Sequence, residues 1–283
     1  MTRFLVTGAS GMLGRDLQVA LAGRDVVALT RGQLDITDAR AVNHAVEGID
    51  VVINAAAYTR VDDAETHQSE AYAINALGAG NVATAAAATG ATLVQISTDY
   101  VFDGTAHTPY GEHTPRDPVS VYGRSKAEGE RLVLDAHPEA FIVRTAWLYG
   151  EHGPNFPKTM LRLANERETV EVVNDQYGQP TWSLDLATAI VELVDSGAST
   201  DIYHVTNSGS TTWYELARAV FELAGHDPGR VVPTESSRFV RPAPRPSYSV
   251  LGHDAWFEAG LTPMRDWRDA LRAAFSTGAL AAT

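Results

Sequence analysis

The run VTGASGMLG, residues 6–14, constrains this chain more than any other stretch. It sets Gly8, Gly11 and Gly14 between a short apolar run, RFLVTG, and an amphipathic one, GMLGRDLQVALAG, that Gly23 closes. The pattern predicts a strand that turns sharply into a helix. The first glycine makes the tight turn, the second lets backbone approach a pyrophosphate, and the third lets the helix pack closely on the strand. Phosphates at such a turn meet free N–H groups and the positive end of the helix. Gly8, Ser10, Gly11, Met12, Leu13 and Gly14 are therefore expected to line a dinucleotide.

The rest of the first half repeats the same alternation. DVVALT, DVVINAAA, TLVQIST and AFIVRTAWLYG read as strands, with an alanine-rich helix over 70–89. These strands are unbroken apolar runs, as expected when helices cover both faces of a sheet. The fold class is therefore α/β, a doubly wound parallel Rossmann-type sheet. After Gly150 the texture turns polar and mixed, and residues 231–251 are rich in proline and arginine. We expect a dinucleotide-binding domain of 1–150 with about 182–225, and a smaller substrate-binding lobe of 151–181 with about 226–283. The tail STGALAAT is expected to fray.

Composition narrows the function. The formal charge of −13 leaves no domain-scale basic face for nucleic acid. The absence of cysteine excludes thiolate metal sites and a cysteine nucleophile. No apolar stretch approaches the ~18 residues of a membrane span, and the amino terminus lacks a signal-peptide core. A cytoplasmic enzyme with a small-molecule substrate and no membrane partner is the expectation. Arginines cluster at Arg162 and Arg167 and at Arg238, Arg241 and Arg245, either as solvated surface or as anchors for an anionic ligand.

The catalytic candidates come from VYGRSKAEGE, residues 121–130. Tyr122 and Lys126 stand four apart, a spacing that puts two side chains on one helix face with Cβ atoms roughly 5–6 Å apart. Of 22 basic residues only Lys126 and Lys158 are lysines. Arginine would serve for surface charge, so a lysine placed four residues after a tyrosine points to chemistry that a planar guanidinium does not replace. A compact ammonium is expected to bond ribose hydroxyls and to lower the phenol's pKa for proton transfer. In QISTDYVFDG, Ser97 and Thr98 follow an apolar run directly. Ligands of open α/β sheets bind at the carboxyl ends of strands, so Thr98 is the third candidate.

The G-x-x-G-x-x-G spacing resembles the extended branch of the short-chain dehydrogenase/reductase superfamily. Further, AAYTRVDDAE, STDYVFDG, VYGRSKAEGE, RTAWLYG, NFPKTMLRLA and NDQYGQPT resemble, in order and over most of the chain, the successive motifs of the dTDP-4-dehydrorhamnose reductase family. The resemblance implies NADPH- or NADH-dependent reduction of the C4 ketone of dTDP-4-dehydro-L-rhamnose to dTDP-L-rhamnose, a deoxysugar for cell-surface polysaccharide. It implies Thr98, Tyr122 and Lys126 as catalytic residues. Thr30-Arg31 ends the second strand without an acidic residue, so a 2′-phosphate is permitted and NADPH is expected, with NADH also accepted. Arg31, Asp35, Ile36, Ala55, Ala56, Ala57, Tyr58 and Ser97 are expected around the cofactor, together with Tyr122 and Lys126. Around the nucleotide-sugar the expected residues are Asp99, Tyr100, Trp147, Asn155, Phe156, Lys158, Gln176, Thr181 and Arg245. By default a tryptophan ending a strand is core, and Lys158 reads equally as a surface lysine.

Some family members dimerise through a glutamate-bound magnesium; Arg15 stands where one such glutamate is expected, so no metal is carried over, and a monomer or homodimer is expected. Two other readings compete. Related 4,6-dehydratases and epimerases share the loop and the Tyr–Lys pair, but dehydratases carry Thr-Asp-Glu where this chain has Thr98-Asp99-Tyr100. A regulatory NADP-binding subunit, like the β subunit of methionine adenosyltransferase, shares the fold without turnover.

Overall fold

A computed structural model describes residues 1–280. The chain begins β1 (Arg3–Thr7), α1 (Met12–Ala20), β2 (Asp25–Leu29), α2 (Ala39–Val46) and β3 (Val51–Asn54). Two short helices, α3 (Val61–Ala64) and α4 (Gln68–Tyr72), lead through a π-helical turn (Ala73–Gly78) into α5 (Ala79–Thr89). β4 (Thr92–Thr98), α6 (Val121–Ala136) and β5 (Phe141–Thr145) complete this half. The expected helix over 70–89 is thus interrupted at Asn75, whose buried amide bonds Tyr58 and Ser125. A π-turn is a common way to turn one residue out of an α-helical register at a functional site.

The second half runs β6 (Leu148–Tyr149), α7 (Phe156–Glu166), β7 (Val170–Val173), β8 (Tyr177–Gly178), β9 (Thr181–Trp182), α8 (Ser183–Asp195) and β10 (Ile202–His204). β11 (Thr211–Thr212), α9 (Trp213–Leu223), β12 (Val231–Thr234), α10 (Asp254–Glu258) and α11 (Trp267–Ser276) follow. The main sheet has six parallel strands in the order β10-β5-β4-β3-β1-β2. This is the expected doubly wound sheet. Its apolar runs feed two cores by strict alternation. Phe4, Val6, Val51, Ile53, Phe141 and Val143 face α1 and α8, while Leu5, Val52, Leu93 and Ile142 face α2, α5 and α6.

The chain leaves β1 for β2 on one side and then returns for β3 on the other, so β1 and β3 flank the switch point of the sheet. Crevices for ligands open there, beyond the carboxyl ends of the strands. A third core joins α7, α9, α11, β7 and β12 into the smaller lobe. Two helices depart from the expected division. The apolar face of α9 (Leu216, Ala217, Val220, Phe221) packs in the smaller core and not on the sheet. Conversely Trp256 of α10 joins the sheet core, edge-on to Tyr203 at 6.3 Å. The expected fraying of STGALAAT is also corrected. Ala279 and Leu280 are buried in the smaller core because the left-handed Gly278 turns the chain back onto it. The rest of that expectation, 281–283, lies outside the described residues.

Candidate active site

The glycine loop is shaped by contact. Gly8 takes φ +65°, and a Cβ there would lie 2.8 Å from the Ala55 carbonyl oxygen, so the loops after β1 and β3 touch. A Cβ on Gly14 would meet the Gly8 carbonyl at 2.3 Å. Gly11 caps α1 with no side-chain bond, which leaves the first N–H groups of the helix unclaimed by side chains. These features fit a pyrophosphate. Ser10 and Gly11 are exposed and Met12 half-buried, but Leu13 points into the sheet core and offers only backbone.

Past β2, Arg31 is exposed and pairs loosely with Glu70 at 3.6 Å. No carboxylate ends β2, so the residues present fit a phosphorylated ribose better than a bare 2′-hydroxyl. Asp35 is exposed, and its carboxylate accepts from the backbone and hydroxyl of Thr37, which hold its pKa below the usual range. Ile36 is buried against Gly78. Ala55, Ala56 and Ala57 are partly open, as a cofactor wall requires. Tyr58 is not part of that wall: its side chain is buried with Ala64, Ala71 and Val121.

At the carboxyl end of β4, three consecutive residues are each fastened differently. Lys126 Nζ donates to the Ile96 carbonyl at 2.6 Å. Ser97 donates to Glu130, and Thr98 donates to Asp99 at 3.0 Å. The Ser97 side chain is thus turned away from the cofactor cleft, a correction to its expected place. Ser120 caps α6 by accepting from Gly123 N–H, which starts the helix one residue before Tyr122. A Cβ on Gly123 would collide with the Tyr100 carbonyl at 2.2 Å, so α6 lies directly against the end of β4. The Tyr122 ring meets Tyr100 edge-on at 5.5 Å.

Burial holds the Tyr122 phenol up at about 12, with the Thr98 hydroxyl lowering it and Asp99 raising it. The expected depression by Lys126 is corrected: Thr98 is the group that lowers the phenol's pKa. Burial pulls Lys126 down to about 8, with Glu130 opposing. Asp99 is only 2% exposed and is pushed up to about 6 by burial, with Ser249 and Thr98 opposing. Its carboxylate faces inward, so it does not reach the sugar as expected.

Beneath these residues lies a buried charge network absent from the sequence reading. Arg144 forms two bonds to Glu130, at 2.9 and 2.8 Å, and both residues are 1% exposed. Burial alone would raise the Glu130 carboxyl, but Arg144, Ser97 and Arg116 outweigh it and hold it below the usual range. Arg144 also reaches the Glu112 carbonyl and His204 Nε2. His204 Nδ1 contacts the Gly252 carbonyl, so the network assigns its proton to Nδ1. Burial and then Arg144 push His204 down to about 3. The network joins β4 and α6, which carry Thr98 and Tyr122, to β5, which ends two residues before Trp147. Arg144 stands out as a charge inside the apolar run AFIVRTAW, but Glu130 lies in a polar helical stretch and nothing in the sequence links the two.

The substrate-side expectations divide. Trp147 breaks the expected strand AFIVRTAWLYG between β5 and β6, with φ +46°. A bulky residue there is strained by about 1–3 kcal/mol. Its indole stacks on Trp213 at 3.5 Å and 7°, and Phe156 packs on Trp213 at 4.7 Å. Trp213 was not singled out in the sequence, since it reads there as one aromatic of an amphipathic helix. Asn155 caps α7 through Lys158 N–H and donates to the Gly150 carbonyl, and Lys158 Nζ donates to the Glu151 carbonyl. Gln176 is half-buried, whereas Thr181 is fully buried and bonded to Gln179, so its side chain offers no contact. Arg245 pairs with Asp62 at 3.0 Å. Burial raises the Tyr100 pKa strongly, with the Arg245 charge opposing. Arg162 pairs with Glu166 one turn away, as a surface residue does.

Comparison with known proteins adds the following. A family model described as the RmlD substrate binding domain matches residues 2–279. The chain is 52% identical over 278 residues to a dTDP-4-keto-6-deoxy-D-glucose reductase of Streptomyces niveus, covering 96% of each. It is 51% identical to a dTDP-4-dehydrorhamnose reductase of Streptomyces griseus, covering 96% of this chain and 93% of the other. A crystal structure of dTDP-4-dehydrorhamnose reductase from Bacillus anthracis in complex with NADP is similar at a TM-score of 0.94 and 42% identity, covering 98% of this chain and all of the other.

Proposed function

We infer function from the premise that this chain belongs to the RmlD substrate binding domain family. It is an oxidoreductase that reduces the C4 ketone of a dTDP-4-keto-6-deoxyhexose, dTDP-4-dehydro-L-rhamnose, with NADPH, and with NADH as a second donor. When bound, the dinucleotide supplies the hydride that adds to C4. The observation that carries the reading is the pair of hydroxyls, Thr98 and Tyr122, held next to each other at the carboxyl end of β4 with Lys126 beneath.

In this reading Tyr122 gives its phenolic proton to the C4 oxygen as the new C–H bond forms. Burial keeps the phenol protonated through the neutral range, the form that donates, and the Thr98 hydroxyl opposes part of that rise. Thr98 donates a hydrogen bond to the same oxygen and is itself oriented by Asp99. Lys126 presents a buried positive charge to the ribose side of the cleft. Ser10, Gly11 and the amino end of α1 receive the pyrophosphate, and Arg31 receives the 2′-phosphate. Trp147 meets the sugar, with Tyr100 and Arg245 beside it, and Asn155, Phe156, Lys158 and Gln176 lie toward the nucleotide. We place the protein in the cytoplasm, as a monomer or homodimer. No helix among the described residues is long and apolar enough to cross a membrane.

Tyr100 stands where a dehydratase base would be, and its strongly raised pKa leaves it unfit to take a proton. Reduction is therefore favoured over dehydration. The test supplies dTDP-4-dehydro-L-rhamnose, made by the upstream enzymes, and follows NADPH absorbance and product NMR. Oxidation of NADPH with formation of dTDP-L-rhamnose supports the reading. No oxidation, with a second protein co-purifying, supports the regulatory-subunit alternative, and a C4 epimer as product would reassign the stereochemistry.

A further inference from the structure

Among the described residues, Trp147 is the one non-glycine with a positive φ. Glycine would take φ +46° freely, whereas a bulky L residue is strained there. A turn alone would therefore favour glycine at this bend. The indole is kept in place of it, so the surroundings must hold the conformation.

Two contacts do so, from opposite ends of the sequence gap. The ring of Trp213 lies parallel to that of Trp147 at 3.5 Å. Gly178 packs so closely that a Cβ on it would lie 2.3 Å from Trp147 Cε2. Both are delivered by one small ladder, since Gly178 pairs with Thr211, two residues before Trp213. That ladder is braced in turn: Thr212 Oγ1 donates to Asn174 and accepts from Glu215 N–H at the start of α9. Phe156 supports Trp213 from its far end at 4.7 Å. The clamped indole sits two residues past Thr145, the register partner of Thr98. It remains partly exposed.

We propose that Trp213, with Gly178, is a positioning element that clamps Trp147 in its strained conformation and so holds in place the indole face against which the sugar binds. This rests on the reductase reading above. Trp213 acts through Trp147, so its loss loosens the indole's contact with the sugar in ground and transition state alike and leaves the proton-transfer groups intact. Such a loss shows in KM while kcat holds.

The experiment compares wild type with Trp213→Leu, Trp213→Phe and Gly178→Ala. Two parallel indoles in contact give an exciton couplet in the far-ultraviolet circular dichroism of the free protein, a readout that needs no substrate. Trp213→Leu is expected to lose the couplet and raise the KM for the dTDP-4-keto sugar about tenfold, with kcat and NADPH affinity within about twofold of wild type. Trp213→Phe keeps a flat ring and is expected to restore most of the KM. Gly178→Ala pushes from the other side and is expected to alter the couplet and raise KM, which decides the matter if Trp213→Leu does not fold. Wild-type KM in Trp213→Leu or Gly178→Ala would overturn the proposal, as would equal defects in the Leu and Phe variants. A wild-type protein that oxidises no NADPH would sink the reductase reading alone, because the couplet still reports whether Trp213 holds Trp147.

Discussion

The proposed cofactor side and the proposed substrate side of the cleft are held by different physics. On the cofactor side, main-chain contacts at Gly8, Gly14 and Gly123 leave no room for a methyl group, and the buried Glu130–Arg144 pair ties β4, α6 and β5 together. On the substrate side the contacts are a stack of aromatic rings, a helix cap at Asn155 and a half-exposed ion pair between Arg245 and Asp62. The first arrangement tolerates almost no change. The second can be retuned one side chain at a time, which suits the part of a reductase that distinguishes sugars.

Breaking the buried pair is expected to have the largest effect. Arg144→Met leaves the buried Glu130 charge with only Ser97 and the partly exposed Arg116, and should cost about 3 kcal/mol in denaturant unfolding. Adding Glu130→Gln removes the second charge and should recover most of that stability, though Lys126 then lacks the carboxylate that supports its charge. If the double variant is no more stable than the single, the pair is not the frame described here.

Acid should strain the same network next. Burial and Arg144 depress the His204 pKa from 6.5 to about 3, so the unfolded chain binds the proton more readily than the folded one. Stability is therefore full above about pH 6.5 and is lost as pH falls toward 3, on the order of a few kcal/mol. Thermal unfolding across that window should flatten in His204→Gln. A slope unchanged by the substitution would assign acid sensitivity elsewhere.

Cofactor binding should then weaken in base. Lys126 carries its charge below about pH 8 and loses it above. NADPH affinity, measured by fluorescence titration, is expected to fall about tenfold per pH unit beyond that point. The smallest effect belongs to the substrate side. Asn155→Ala removes the cap of α7 and should cost about 1 kcal/mol of stability, with NADPH affinity unchanged.

These two sides were also unequally legible in the sequence. VTGASGMLG and VYGRSKAEGE are local patterns: spacing along one strand, one turn or one helix carries their meaning. The unbroken apolar strands likewise announced a sheet covered on both faces. The substrate side is assembled from residues 147, 156, 178, 213 and 245, brought together by tertiary folding, and no periodicity links them. Trp213 was not singled out for that reason, and α9 was given to the sheet because its amphipathic face does not say which core it meets. Ser97, Asp99 and Thr181 were expected to face the ligands, but neighbouring buried groups claim their side chains. The Glu130–Arg144 pair crosses 14 residues between helix and strand, a distance at which charge pairing leaves no sequence signature.

Tyr122 is the residue on which the proposed reduction depends most directly. With dTDP-4-dehydro-L-rhamnose and NADPH, Tyr122→Phe should bind NADPH as wild type does yet lose about 10²–10⁴-fold in kcat, since the ring remains and only the proton donor is gone. NADPH oxidation by this variant at the wild-type rate would contradict it.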